Sequence, residues 1–302
     1  MADASIACII VTYNPSSSDY NSINSCLGRL AQIIVIDNSS DSFSRINLIN
    51  FIKSIRSTTK VELVLNEKNL GLSKAYNLGI SMARSKGIQY LILMDQDSYF
   101  LEDSISELYY AYEEMRSLGF IGIISPTVMM KKGNIDSMLT RSFDNIARRI
   151  HKWFENDNVL QSRFAINSGT FIPLEIIKDK KVYDEELFTD AIDILFCYKL
   201  RDKKLYIFRS KKSRLIHNEN ANFFQIGGLT LPIFLYSSDR IYHIVHDYLT
   251  LFHKTYRSRF FFVLYHLLTI LTSILINVIF RHNRRQIVRI VWKAINDWTN
   301  FR

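Results

Sequence analysis

Two carboxylates one residue apart close an apolar run: Leu91-Ile92-Leu93-Met94 is followed at once by Asp95-Gln96-Asp97-Ser98. A buried strand cannot carry unpaired charge through a core, so these acids must emerge at its carboxyl end, where α/β sheets bind ligands. From there Asp95 and Asp97 can approach one hard divalent cation, Mn2+ or Mg2+, and hold it against a diphosphate. The alternative is that they serve as caps at a strand-to-helix turn. A second acidic pair, Asp190 and Asp193, lies three residues apart ahead of a helical segment through Lys199, Leu200 and Arg201. On a first helical turn the two would share a face, and N-terminal capping is their simplest use.

Such residues need a sheet to carry them. Apolar runs predict strands at 5–12, 32–37, 61–65, 89–94 and 120–125, separated by helical segments around 19–30, 44–57, 73–86 and 102–117. This alternation predicts an α/β fold with a mostly parallel, doubly wound sheet. Gly71 breaks the chain before Ser73, which can cap the helix that carries Asn77. Residues 129–165 are basic and weakly periodic, and from Met129-Met130-Lys131-Lys132-Gly133 onward they read as a loop or short hairpin over a site. The run Phe164 to Pro173 is strand-like, and its Gly169 allows close backbone approach.

The chain has 302 residues, 48% of them hydrophobic and 22% charged, enough for one large domain with an appendage. A net charge of +9 calls for an anionic partner: nucleic acid, a nucleotide or a membrane surface. Nucleic acid is excluded, because the basic residues sit beside apolar helix faces and there is no base-stacking module. Cys8, Cys26 and Cys197 are odd in number and make no paired metal spacing, so a reducing compartment is expected. Met1-Ala2-Asp3 runs directly into Ile6 to Val11 without a basic leader, which reads as a first strand and not a signal peptide.

The appendage has its own chemistry. Residues 260–280 hold no Asp, Glu, Lys or Arg and meet the length rule for a membrane span. His266, Thr269, Ser273 and Asn277 nevertheless recur at helical spacing as a polar stripe, and arginines flank the segment on both sides. An in-plane helix fits both details. The following segment carries Arg281, Arg285, Arg289 and Lys293 at four-residue steps, with Trp292 and Trp298 as interfacial anchors, and reads as a basic amphipathic helix for anionic lipid. The alternative is that both helices pack on the catalytic domain or on a second copy in a homo-oligomer.

Taken in order, Val11-Thr12-Tyr13-Asn14, Val35-Ile36-Asp37-Asn38-Ser39-Ser40, Asn69-Leu70-Gly71 through Asn77, Leu93 to Ser98, Asn167-Ser168-Gly169, Phe188 to Arg201 and Ile216-His217 resemble the family 2 glycosyltransferases, more narrowly the bacterial rhamnosyltransferase-like branch. The resemblance spans roughly residues 5–220 and implies a GT-A fold. Its catalytic domain would cover 1–225, with a nucleotide part to about 128 and an acceptor part beyond it, followed by a helical membrane-associating region over 226–302. The implied reaction is metal-dependent, inverting transfer of a sugar from a dTDP- or UDP-linked donor, dTDP-rhamnose foremost, to a lipid-linked glycan at the cytoplasmic face of the bacterial inner membrane. The product would feed O-antigen, capsule or related polysaccharide. By the same resemblance Thr12, Asn14, Asp37, Gly71, Asn77 and Asp95 surround the donor nucleotide, and Asp97, Asp95 and His217 hold the metal. Asp193 is the base, with Asp190 as acceptor contact or substitute. Ile192 and Leu195 stand where relatives often carry acids, and His246-Asp247 stands where they often carry Arg-Asn. Two other readings compete: a haloacid-dehalogenase-type phosphohydrolase, which also sets Asp-X-Asp after a strand, and a non-catalytic membrane scaffold on a decayed transferase fold.

Overall fold

A computed structural model describes residues 3–130, 154–218, 222–226, 229–233, 235–281 and 283–300. The chain forms two compact units, Met1–Tyr183 with Asp193–Asn218, and Asp184–Ile192 with Glu219–Arg302.

The first unit is built on a sheet. Strands β1 (Asp3–Thr12), β2 (Leu30–Asp37), β3 (Lys60–Leu65) and β4 (Tyr90–Asp95) lie in the order β3-β2-β1-β4, all parallel. Ile6 to Val11, Ile33 to Ile36 and Leu91 to Met94 are buried without interruption, as expected of strands covered on both faces. The helices between them are α1 (Asn21–Asn24), α2 (Ser42–Ser54) and α3 (Leu72–Ser85), and α4 (Ser104–Ser117) follows. Helix α3 turns Tyr76, Ile80 and Ala83 into the core, and α4 turns Ile105, Leu108, Tyr112 and Met115. The helix expected around 19–30 shrinks to α1. Ser22 and Ser25 there hydrogen-bond to the carbonyls of Asp19 and Ser22, and Gly28 takes a φ of 74°, so local side-chain bonds and a turn displace the helical ladder.

Beyond β4 the sheet becomes mixed. Strands β5 (Ser98–Phe100), β6 (Gly122–Met130), β7 (Val159–Gln161), β8 (Phe171–Pro173) and β9 (Tyr206–His217) extend it in the order β4-β8-β6-β9-β5, with β7 paired to β9. Only β6 and β9 run parallel in this half. Of the loop expected over 129–165, Met129 and Met130 end β6, and 131–153 lie outside the described residues. The run from Phe164 yields a strand only at Phe171–Pro173. Gly169 has a φ of 76°, and a Cβ on it would meet the Pro126 ring at 2.7 Å, so that turn requires glycine. Helix α5 (Ile192–Asp202) leads into β9.

In the second unit, β10 (Asn222–Ile226) and β11 (Leu229–Ile233) form a hairpin, followed by α6 (Ser238–Phe280) and α7 (Arg284–Asn300). Ser237 caps α6 by accepting from the Arg240 amide at 3.2 Å. The polar stripe of α6 turns inward: Asn277 is buried, accepts from the Tyr236 amide at 2.9 Å and donates to Ser273 O. The side chain of Thr269 lies outside the described residues. Leu268, Leu271, Leu275 and Ile279, at helical spacing, are exposed instead. On α7, Ile287 and Ala294 are buried while Val288 and Trp292 are exposed. Trp298 is not the anchor expected of it: its indole donates to Thr250 Oγ1 at 3.2 Å and its ring meets His253 edge-on, which fixes α7 to α6. Among the described residues no helix is long and apolar enough to cross a membrane.

Candidate active site

Strand β4 delivers its acids as the hydrophobic run predicts. Asp95 pairs with Val11 across β1, and its Oδ1 accepts from the Tyr76 hydroxyl at 2.8 Å. Burial, and then the Asp95 charge, push that phenol well above its usual pKa, so Tyr76 stays a proton donor and fixes one carboxylate oxygen. The Asp95 amide donates to Ser168 Oγ at 3.3 Å, which gives the Asn167-Ser168-Gly169 turn a supporting part. Gln96, between the two acids, grips the first loop: the Tyr13 amide donates to its Oε1 at 2.7 Å and its Nε2 donates to Tyr13 O at 3.3 Å.

Asp97 then turns the chain into β5, whose antiparallel pairing with β9 sets Ser98 opposite His217. Ser98 Oγ lies 2.7 Å from His217 Nδ1, and the Asn218 amide donates to Asp97 O at 2.8 Å. A histidine 119 residues away in sequence thus reaches the acidic turn. Asp95, Asp97 and His217 each offer a ligand atom within 4.8 Å of the others. Among the described residues, Oδ1 of Asp97 is closed off from solvent and takes no hydrogen bond; its near neighbour is His217 Nδ1 at 3.5 Å. A carboxylate oxygen withdrawn from water without a donor suits a cation; the two carboxylates are fitting ligands for Mg2+ or Mn2+, and the imidazole beside them favours Mn2+ of the two.

The other strand ends are held by a polar network. Asp37, fully buried, accepts from Thr12 Oγ1 at 2.8 Å, Ser39 Oγ at 2.5 Å and Arg45 Nε at 3.2 Å. Arg45 also donates to the carbonyls of Ser39 and Asn66. The carboxylate is sealed from solvent, so a nucleotide can meet it only if a neighbouring group moves aside. Asn14, at a φ of 46°, accepts the amides of Ser40 and Asp41 and so stitches the loop after β1 to the loop after β2. Gly71, at a φ of 80°, begins α3 and receives the Asn38 side-chain amide on its carbonyl.

Asn77 is engaged at both ends of its amide. It donates to Tyr183 O and accepts from Tyr183 N, both at 2.9 Å, and Tyr183 Oη in turn donates to Asn167 Oδ1 at 2.7 Å. Tyr183 is pushed well above its usual pKa by burial, then by Cys197, Asp193 and Asp95, so Asp193 and Asp95 both lie within electrostatic reach of one phenol. Cys197 is pushed up to about 12 by burial, which keeps it a thiol and makes it a packing residue. All three cysteines are free and buried.

Asp193 falls in the first turn of α5, where the helix dipole favours negative charge, and its Oδ1 accepts from the Ile194 amide at 2.8 Å. The shared helical face expected of Asp190 and Asp193 does not form. Helix α5 begins only at Ile192, and Ala191 turns the chain with a φ of 59°. Asp190 belongs to the second unit, where it meets Arg240 at 3.1 Å.

The parts that Tyr76, Gln96 and Arg45 play escape notice in the sequence, and Asp247 shows there only as a departure from the family's pattern. Gln96 had the clearest signal, its position between two acids; the partners of Tyr76 and Asp247 lie 19 and 57 to 59 residues off, while Arg45 reaches back only 8 residues to Asp37.

The sequence matches the family described as "Glycosyl transferase family 2" over residues 7–176. The dTDP-rhamnosyl transferase RfbF of Shigella flexneri is 25% identical over 255 residues, covering 84% of this chain and 82% of that protein. A solved structure described as "Crystal Structure of a Mycobacterial Protein" aligns over 71% of this chain and 67% of its own length, at 11% identity and a TM-score of 0.45.

Proposed function

The chain belongs to glycosyl transferase family 2, and from that premise we propose that it transfers L-rhamnose from dTDP-rhamnose, with inversion, to a lipid-linked glycan in bacterial surface polysaccharide assembly. It is a glycosyltransferase acting on a nucleotide-sugar donor. The choice of rhamnose is supported by the similarity to RfbF, which is a dTDP-rhamnosyl transferase. The family match weighs against the phosphohydrolase reading, and the Asp95-Asp97-His217 cluster, still together, against the scaffold reading.

The observation that carries the reading is the meeting of Asp95, Asp97 and His217 at the end of β4. These three would hold Mg2+ or Mn2+, which when bound would offset the charge on the departing nucleoside diphosphate. Tyr76 keeps Asp95 in one orientation through its hydroxyl. Thr12, Asn14, Asp37, Gly71 and Asn77 frame the donor nucleotide, with the Asp37 network as its floor. On the opposite face of the sugar, an acceptor hydroxyl oxygen bonds to the anomeric carbon while the bond from that carbon to the diphosphate oxygen breaks. The electron pair leaves with the diphosphate, and the hydroxyl proton passes to the Asp193 carboxylate, with Asp190 as the substitute base.

The second unit supplies a hold on anionic lipid at the cytoplasmic face of the inner membrane, where a lipid-linked acceptor resides. Leu271 is 61% and Trp292 70% exposed, and Arg284, Arg285 and Arg289 are exposed alongside. Apolar side chains beside arginine are the composition of an interfacial helix pair.

Calorimetric titration of the full chain with dTDP-rhamnose, UDP-galactose, UDP-glucose and their free nucleotides, with and without Mn2+, tests the donor. Metal-dependent binding of dTDP-rhamnose, lost in Asp97→Ala, is expected; binding of a UDP-sugar in its stead overturns the rhamnose assignment. Sedimentation with vesicles rich in anionic lipid tests the surface. Leu271→Glu with Trp292→Glu should leave the protein in the supernatant, and unchanged pelleting removes the lipid contact from the proposal.

A further inference from the structure

The segment Asp184–Ile192 bears Asp190 and runs directly into Asp193, and the opening turns of α6 grip it. Asp247 is fully buried there. Its Oδ1 accepts from the Phe188 amide at 3.0 Å, and its Oδ2 accepts from the amides of Thr189 at 2.8 Å and Asp190 at 2.9 Å. Three successive backbone amides on one carboxylate make an anion nest whose anion is a side chain of the same chain. Other contacts surround it. The Phe188 ring stacks on His243 with centroids 3.9 Å apart, Arg240 meets Asp190 at 3.1 Å, and Lys254 meets Asp184 at 2.6 Å and Glu186 at 3.2 Å.

A buried carboxylate is rare and is tolerated only when its acceptors are filled, so Asp247 dictates the backbone of 188–190 more firmly than apolar packing would. The next residue is Ala191, whose left-handed backbone at a φ of 59° persists only where its surroundings over-determine it. From these contacts we propose that Asp247 is a positioning residue for the transfer: by clamping the amides of 188–190 it fixes the turn at Ala191 and with it the acidic segment that receives the acceptor's proton. This rests on the transferase reading for its kinetic consequence, while the clamp itself can be tested without it.

The variants are Asp247→Asn and Asp247→Glu in the full chain. Asparagine keeps the shape but sets one acceptor oxygen and an amide donor against three N–H groups. Amide hydrogen exchange at Phe188, Thr189 and Asp190 should accelerate at least about tenfold in Asp247→Asn, with α3 and β4 unchanged. With dTDP-rhamnose as donor and water as acceptor, read as dTDP released, kcat should fall about 10- to 100-fold, since a misplacement near 1 Å has that effect, while donor KM and calorimetric affinity stay within about twofold. Asp247→Glu retains two oxygens and the charge, and should recover part of kcat. A purely structural role predicts a different pattern: kcat and bound donor falling together with the folded fraction, with no recovery in Asp247→Glu, and that pattern overturns the proposal. So does unchanged kcat with accelerated exchange. If the wild type binds no nucleotide sugar, it is the transferase reading that fails. Exchange then decides the clamp alone: acceleration confined to 188–190 upholds it, and acceleration spread along α6 refutes it. Should Asp247→Asn not fold, Asp247→Glu carries both readouts, with altered kcat at constant donor affinity expected and full wild-type behaviour at 188–190 and in kcat refuting it.

Discussion

Strands β1 to β4 and helices α6 and α7 draw on the same apolar residue types and dispose of them in opposite ways. In the strands Ile9, Ile34 and Leu93 are sealed from water, and polar residues gather at the strand ends, where they bind one another. In the helices the polar residues Asp247, Asn277 and Thr250 are sealed, while Leu271, Leu275, Val288 and Trp292 face outward. The first region is complete in itself. The second carries an apolar face of the kind that soluble monomers rarely present, and that face calls for an apolar partner.

The sharpest test of this contrast separates function from stability at the strand ends. Asp97→Ala should lower kcat by about 10²- to 10³-fold, a range typical of losing one electrostatic contact to a developing charge. Its thermal midpoint should hold or rise, because an oxygen that takes no hydrogen bond has been removed. Next in size is a paired truncation. Ile34→Ala, within the sealed core, should destabilise by about 2–5 kcal/mol in urea unfolding. Leu271→Ala, of similar volume change, should stay within about 0.5 kcal/mol. Equal effects at the two positions would break the comparison by showing that the outward face is covered within the chain.

A smaller effect comes from pH. Burial holds His266 down to about 4 from its usual 6.5. The unfolded chain therefore binds a proton that the folded chain refuses between those values, so stability is full above about pH 6.5 and declines as pH falls toward 4, levelling off below. The loss should not exceed about 3 kcal/mol. Urea midpoints between pH 7 and 4 should flatten in His266→Gln relative to wild type, and parallel curves would remove His266 as the cause.

How much of this was readable beforehand depends on how local each determinant is. Strands β1 to β4 were predicted within about two residues of their observed ends, because an unbroken apolar run is a signal contained in the strand itself. Strands β5, β7 and β8 have three residues each, too few for a period, and owe their existence to partners elsewhere in the chain. Asp95 and Asp97 could be found from the strand that ends in them. His217 was reached only through resemblance, since the pairing that brings it in is non-local. Tyr76, Arg45 and Asp247 look like ordinary helix residues until the loops they hold are folded against them. Trp298 was misread because the composition of an amphipathic helix does not say which of two tryptophans turns inward.

The short ladder between β5 and β9 also bears on how this chain can change over generations. Ser98, Tyr99 and Phe100 lie opposite His217, Ile216 and Leu215, and the Leu101 amide donates to Arg214 O. The same end of β9 is held from its other side by β6, whose Val128, Met129 and Met130 lie opposite Leu215, Ile216 and His217, and Ser168 holds the Asp95 amide. The segment between Leu101 and Arg214 can therefore change length only where it leaves β6 and the Asn167-Ser168-Gly169 turn in place. One deleted residue between Arg214 and His217 has the opposite outcome: alternation along the strand turns the imidazole to the far face. Chimaeras that keep β5, β6, β9 and the Asn167-Ser168-Gly169 turn from one parent are the ones expected to retain the Asp-Asp-His cluster.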